Sequence, residues 1–163
     1  MIACRPTSWK AMFCAEWRGP VAIGIAAMSP ATRVVAVEAD EDALVWLRRN
    51  VAAATPAGGS RVDVVAADVT DPDQVAGAIP AGSVSVLVTN PPYVPLDAVV
   101  GPEVAHDPAR AVFGGADGMS VIVPMVPVIA RTLTPGGVVG IEHDDTTADA
   151  VVSCLHAHGD FEE

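Results

Sequence analysis

Residues 84–93 read Val84-Ser85-Val86-Leu87-Val88-Thr89-Asn90-Pro91-Pro92-Tyr93, an apolar, β-branched run that ends abruptly in Asn-Pro-Pro-Tyr. The run predicts a strand over 84–89, buried in a parallel sheet. The two prolines stop it. Neither has an N–H, and both hold φ at about −65°. The carbonyls of Asn90 and Pro91 are thereby kept out of any ladder and stay available as acceptors. Tyr93 adds a flat aromatic face. Such a cup suits a planar –NH2 group, as in an amide or an exocyclic base amine. A plain turn that closes a strand is the competing reading, and these four residues alone do not separate the two.

Working outward, the same alternation of apolar runs and amphipathic segments repeats. Strands are predicted at Arg33–Glu38, Arg61–Ala66 and Val138–Glu142, and residues 10–14 have the length of a further, first strand. Helices are predicted at Val21–Met28, Asp40–Ala54, Asp71–Ile79, Asp117–Thr134 (kinked at Pro124 and Pro127) and Thr146–His158. Asp40 is a candidate N-cap, with Ala43, Leu44, Leu47 and Val51 on one helical face, and Pro72 takes the favoured first helical position. Thr134-Pro135-Gly136-Gly137 reads as a turn. Residues 94–115 form a long connection rich in Pro, Gly and charge, of the kind that is usually functional or disordered. Strands separated by helices imply an α/β fold with a doubly wound, mostly parallel sheet.

The 163 residues suffice for one domain with a real core. The chain is 51% hydrophobic, largely through Ala and Val, and its mean hydropathy is +0.41. No apolar run reaches membrane-spanning length, and no signal peptide is evident near Arg5, Lys10, Glu16 and Arg18. Three cysteines (Cys4, Cys14 and Cys154) without metal-ligand spacing point to a reduced, cytoplasmic chain. The four histidines also lack a metal-ligand arrangement, so no metal site is expected. A net charge of −11 with nine Lys and Arg opposes direct binding of nucleic acid, which needs cations to neutralise phosphates.

In such sheets ligands bind beyond the carboxyl ends of the strands. Glu38, Asp68 and Asn90 fall there on consecutive predicted strands. Glu38 could accept from the vicinal hydroxyls of a ribose, and Asp68 from an exocyclic amine. Helix capping is an equally good reading for Asp68 taken alone.

With these residues placed, the chain resembles the HemK/PrmC-type class I methyltransferases, which use S-adenosylmethionine to methylate a glutamine side chain of peptide chain release factors. The match runs from about Val21 to Phe161. It rests on Ala36-Val37-Glu38-Ala39-Asp40, Ala43-Leu44, Arg49-Asn50, Ala67-Asp68 and Val88-Thr89-Asn90-Pro91-Pro92-Tyr93-Val94-Pro95. It continues through Asp107-Pro108-Ala109-Arg110-Ala111-Val112-Phe113-Gly114-Gly115-Ala116-Asp117-Gly118-Met119, Leu133-Thr134-Pro135-Gly136-Gly137 and Ile141-Glu142-His143. The resemblance implies a Rossmann-like class I methyltransferase fold and S-adenosylmethionine as cofactor, held by Glu38, Asp68 and Asn90. It implies a substrate site of Asn90, Pro91, Pro92 and Tyr93, with a release factor as protein partner and the Gly-Gly-Gln glutamine as target. Asn-Pro-Pro-Tyr also occurs in adenine N6 methyltransferases of DNA. The Gly-Gly-Ala-Asp-Gly stretch and Ile141-Glu142-His143 favour the glutamine enzymes.

The beginning of the chain departs from that pattern. The family opens with a strand ending in Asp and a glycine-rich loop, whereas here Phe13-Cys14-Ala15-Glu16-Trp17-Arg18-Gly19-Pro20 precedes the first helix. Residues 1–20 are therefore expected to be an atypical segment, and 21–163 an incomplete catalytic domain, truncated at both ends. The odd start is expected to reflect an altered frame or a misplaced start codon. Glu16, Trp17 and Arg18 are expected to weaken or abolish cofactor binding, because only glycine lets a ligand approach the backbone so closely. Two other functions stay open: a nucleic-acid adenine N6-methyltransferase, and a non-catalytic remnant of a methyltransferase.

Overall fold

The computed structural model describes residues 10–14, 19–29, 31–54, 61–102 and 104–162. Among these residues are five strands: β1 Lys10–Cys14, β2 Arg33–Glu38, β3 Val62–Ala66, β4 Val84–Thr89 and β5 Leu133–Ile141. They form one sheet in the order β3-β2-β1-β4-β5, with every pairing parallel. The helices are α1 Pro20–Met28, α2 Glu41–Ala54, α3 Pro72–Ala78, α4 Ala109–Val112, α5 Ile122–Thr132 and α6 Ala148–His158. Short 3-10 turns at Val104–His106 and Asp145–Thr147 interrupt the connections. No helix among the described residues is long and apolar enough to cross a membrane.

Residue alternation along the strands splits the core in two, because successive side chains point to opposite faces. On one face Ala11, Val34 and Ala36 pack with Ala22 and Ala26 of α1 and Leu44 and Leu47 of α2. On the other, Met12, Val37 and Leu87 pack with Val75 of α3 and Met125, Val128 and Ile129 of α5. The sheet is thus doubly wound. Lys10–Cys14 lies at its centre, between β2 and β4, and Met12 is fully buried. The strand that the length of residues 10–14 allowed is thus part of the sheet. The apolar Ala11-Met12 pair fills a slot between two other strands.

Three local expectations shift. The helix expected from Asp117 begins at Ile122, because Asp117 Oδ1 takes the Met119 N–H at 3.0 Å and Gly118 adopts φ 76°. That makes 117–119 a turn. Pro124 then falls in the first helical turn, where a missing N–H costs nothing. Thr134–Gly137 does turn, but inside β5. Pairing with β4 jumps from Val84↔Leu133 to Val86↔Val138, so these residues form a bulge in the strand. The connection 94–115 closes on itself: Val94 and Phe113 form a parallel bridge, Gly114 N–H donates to the Val94 carbonyl at 2.9 Å, and Leu96 N–H donates to that of Gly115 at 3.0 Å.

Candidate functional site at the carboxyl edge of the sheet

Strand register places the functional side chains. Cys14 of β1 is level with Val37 of β2 and Thr89 of β4, and Glu38 is level with Ala66 of β3. Glu38, Asp68 and Asn90 therefore all emerge at one rim, at the end of the paired rungs or just past them. The chain order reverses between β1 and β4, and this is the switch point where open α/β sheets form their crevice.

A cavity of about 600 Å³ opens there. Glu38, Ala39 and Asp40 line it from β2, Asp68 and Thr70 from the β3 end, and Asn90 and Pro92 from the β4 end. Pro108, Arg110 and Ala111 border it from the long connection, and Ser120 and Val121 from the approach to α5.

Glu38 is only 9% exposed, and its Oε1 accepts the Asp40 N–H at 2.9 Å. Burial pushes its carboxyl above the ordinary glutamate value. The N–H groups of Asp40 and Ala39 oppose that rise; the Asp40 charge adds to it and Arg110 offsets it. Asp40 Oδ1 accepts the Ala43 N–H at 2.8 Å, the capping role expected from sequence. Its other oxygen pairs with Arg110, which also lies 3.8 Å from Asp42. Asp68 is half-buried, and its Oδ1 accepts both the N–H (2.8 Å) and the hydroxyl (2.7 Å) of Thr70. Asn90 is exposed, and its side-chain amide has no hydrogen-bond partner among the described residues.

The Asn-Pro-Pro-Tyr turn is braced from below by two glycines. A Cβ at Gly114 would lie 2.4 Å from the Pro92 carbonyl oxygen and 2.6 Å from that of Gly118. A Cβ at Gly118, whose φ is 76°, would lie 2.3 Å from the Tyr93 carbonyl oxygen. Neither approach leaves room for a side chain. The Gly-Gly-Ala-Asp-Gly stretch is in this way the floor under the turn.

The expected wall of Pro91, Pro92 and Tyr93 is only partly present in the cavity. Pro92 lines it, Pro91 is buried, and Tyr93 is drawn aside. The Tyr93 ring packs with Ile141, Cys154 and Leu155 against Met119, Ile122 and Val151, and its hydroxyl donates to Glu142 Oε1 at 3.0 Å. Burying the ring on α5 and α6 outweighs leaving it over the cavity. Sequence reasoning also missed Pro108, Arg110 and Ser120 as lining residues. Their segment was conspicuous in the sequence, but nothing there showed that the connection folds back over Glu38. Glu16, Trp17 and Arg18 lie outside the described residues. Among the described residues no group of three or more His, Cys, Asp or Glu is arranged to hold a metal ion.

No protein-family model matches the chain. A release factor glutamine methyltransferase of Mycolicibacterium smegmatis is 46% identical over 144 residues, which are 88% of this chain and 48% of that protein. One from Corynebacterium glutamicum is 48% identical over 126 residues, covering 77% and 43% of the two chains. This chain is a homologue of the release factor glutamine methyltransferases. It spans about half the length of these relatives. Among solved structures, a precorrin-6y C5,15-methyltransferase from Geobacter metallireducens superimposes with a TM-score of 0.63 at 17% identity, over 93% of this chain and 62% of that one. At that identity the likeness concerns the fold, which is the Rossmann-like class I methyltransferase fold that the resemblance implied.

Proposed function

We propose that this chain carries the catalytic site of a protein-glutamine N5-methyltransferase. The reading takes S-adenosylmethionine as methyl donor and the glutamine of the Gly-Gly-Gln motif in a peptide chain release factor as acceptor. One observation carries it: Asn90 and Pro92 share a single cavity with Glu38 and Asp68. A donor set of this kind fits a nucleoside-like cofactor. Glu38 offers two carboxylate oxygens to a ribose diol, and Asp68 an acceptor to an exocyclic amine. When bound, S-adenosylmethionine supplies an electrophilic methyl group.

The chain's own residues deal with the amide. A carboxamide nitrogen is a poor nucleophile because its lone pair is delocalised into the carbonyl. Asn90 Oδ1 accepts one of its N–H groups and fixes its orientation. Pro92 packs against the amide plane. These contributions are positional and electrostatic. The net charge of −11 favours a protein over a nucleic-acid substrate, and the reading places the reaction in the cytoplasm without direct contact to nucleic acid. The catalytic unit is taken as residues 21–163 together with the strand Lys10–Cys14.

The test is methyl transfer from radiolabelled S-adenosylmethionine at saturating concentration, with a release factor or adenine-containing DNA as acceptor. Label on the release factor, absent when its Gly-Gly-Gln glutamine is replaced, is the expected result. Label on DNA alone would establish the adenine reading. No label on either acceptor would establish the remnant reading.

A further inference from the structure

Tyr93 is the single tyrosine of the chain, and the structure holds it at three points. Its ring is half-buried in the cluster between α5 and α6. Its carbonyl rests against Gly118. Its hydroxyl donates to Glu142 Oε1 at 3.0 Å. Glu142 follows directly on β5, and its own N–H donates to the carbonyl of Thr89 at 2.9 Å. The residue that accepts the phenol is therefore tied to the residue immediately before Asn90. This loop of contacts links the end of β5, the end of β4 and the far end of the Pro-Pro turn.

We propose that Glu142 is a positioning residue for the transfer reaction: by holding the Tyr93 hydroxyl it fixes the Asn90–Tyr93 turn in the geometry that receives the substrate amide. The inference rests on the proposed amide methylation. An exposed hydrogen bond of this kind adds little to stability. Its effect is to remove rotational freedom from a turn whose acceptors must be in place when the amide arrives. A carboxylate acceptor strengthens the contact beyond a neutral one. Burial, the hydrogen bond to Glu142, and the charges of Glu142 and Asp144 all push the phenol above its ordinary value.

Because tryptophan does not ionise with tyrosine, the phenolate absorbance of the chain reports Tyr93 alone. Glu142→Gln keeps an acceptor and removes the charge. It is expected to lower the pH at which Tyr93 ionises. It is also expected to reduce kcat for release-factor methylation at saturating S-adenosylmethionine by at least about tenfold, with cofactor affinity unchanged. Tyr93→Phe should show a similar loss, and the double variant Glu142→Gln/Tyr93→Phe should lose no more than Tyr93→Phe alone. An unchanged phenol titration in Glu142→Gln overturns the pairing. A shifted titration with wild-type transfer, or additive losses in the double variant, overturns the positioning role. If the unaltered chain transfers no methyl group, the proposed function falls and the positioning role falls with it, while the phenol titration still reports the contact by itself.

Discussion

Asn90 combines an exposed side-chain amide without a hydrogen-bond partner among the described residues and a backbone locked by the following proline. Removing its acceptor should harm the reacting amide more than the cofactor. Asn90→Ala is expected to lower kcat by about 100-fold, the scale seen when one preorganised polar group is lost. The cofactor dissociation constant should change far less, and single-turnover kinetics beside calorimetry separate the two. Equal losses in both would move Asn90 from the reaction to cofactor binding. Glu38 gives a stability prediction. Its folded-state value is raised above the usual 4.5 by burial. Its contribution is then fully present below that pH and is lost as pH rises through the raised value. Glu38→Gln keeps an acceptor for the Asp40 N–H and abolishes the titration. Relative to the parent, the variant should gain stability in urea unfolding as pH rises above 4.5. Parallel pH profiles would show that Glu38 is not destabilised by burial. Both residues were legible in the sequence, since each closes an apolar run. The surroundings of Glu38 were not, because Arg110 and Pro108 join it in the cavity from some seventy residues downstream.

Among the elements, the connection from Val94 to Gly115 departs most from its sequence reading. Its Pro and Gly content signalled a loop, and in the fold it forms a closed lobe bridged at Val94 and Phe113, with α4 beside the cavity. Two glycines test its packing against a control. Gly114→Ala forces a methyl into the Pro92 and Gly118 carbonyls and should cost about 1–3 kcal/mol, as overpacking does. Gly24 lies inside α1 with nothing within 4 Å of a Cβ. Gly24→Ala should therefore stabilise by about 0.5–1 kcal/mol through helix propensity. Chemical denaturation reads both. A neutral Gly114→Ala would mean that the floor under the turn can yield. Local sequence could not reveal this difference, because both residues are simply glycine until the Pro92 carbonyl is set against one of them.

For the whole molecule, the central position of β1 ties the start of the chain to the cavity. Cys14, its last residue, is level with Thr89, the residue before Asn90. Glu16, Trp17 and Arg18 occupy the stretch that is glycine-rich in the family the chain resembles. The unaltered chain is expected to bind S-adenosylmethionine weakly. Replacing these three residues with glycine should tighten binding by about tenfold or more, since bare backbone permits close approach. Calorimetry on both chains decides, and equal affinities would show that these side chains do not crowd the cofactor.

The sequence by itself determined the layered fold and the rim that carries the chemistry. Runs such as Val34–Val37 and Val84–Thr89 are buried on both faces, and polar residues at their ends can lie only at the edge of the sheet. Tertiary structure alone decided three things. Lys10–Cys14, which its length alone left as a candidate strand, took its place between β2 and β4, because pairing depends on which edges find partners. The segment from Pro108 to Ser120 became the outer side of the cavity, because Gly114 and Gly118 allow it to lie against the Pro92 and Tyr93 carbonyls. Tyr93 left the cavity for Glu142 and the α5–α6 cluster, because burying an aromatic ring and satisfying its hydroxyl outweigh a place facing solvent.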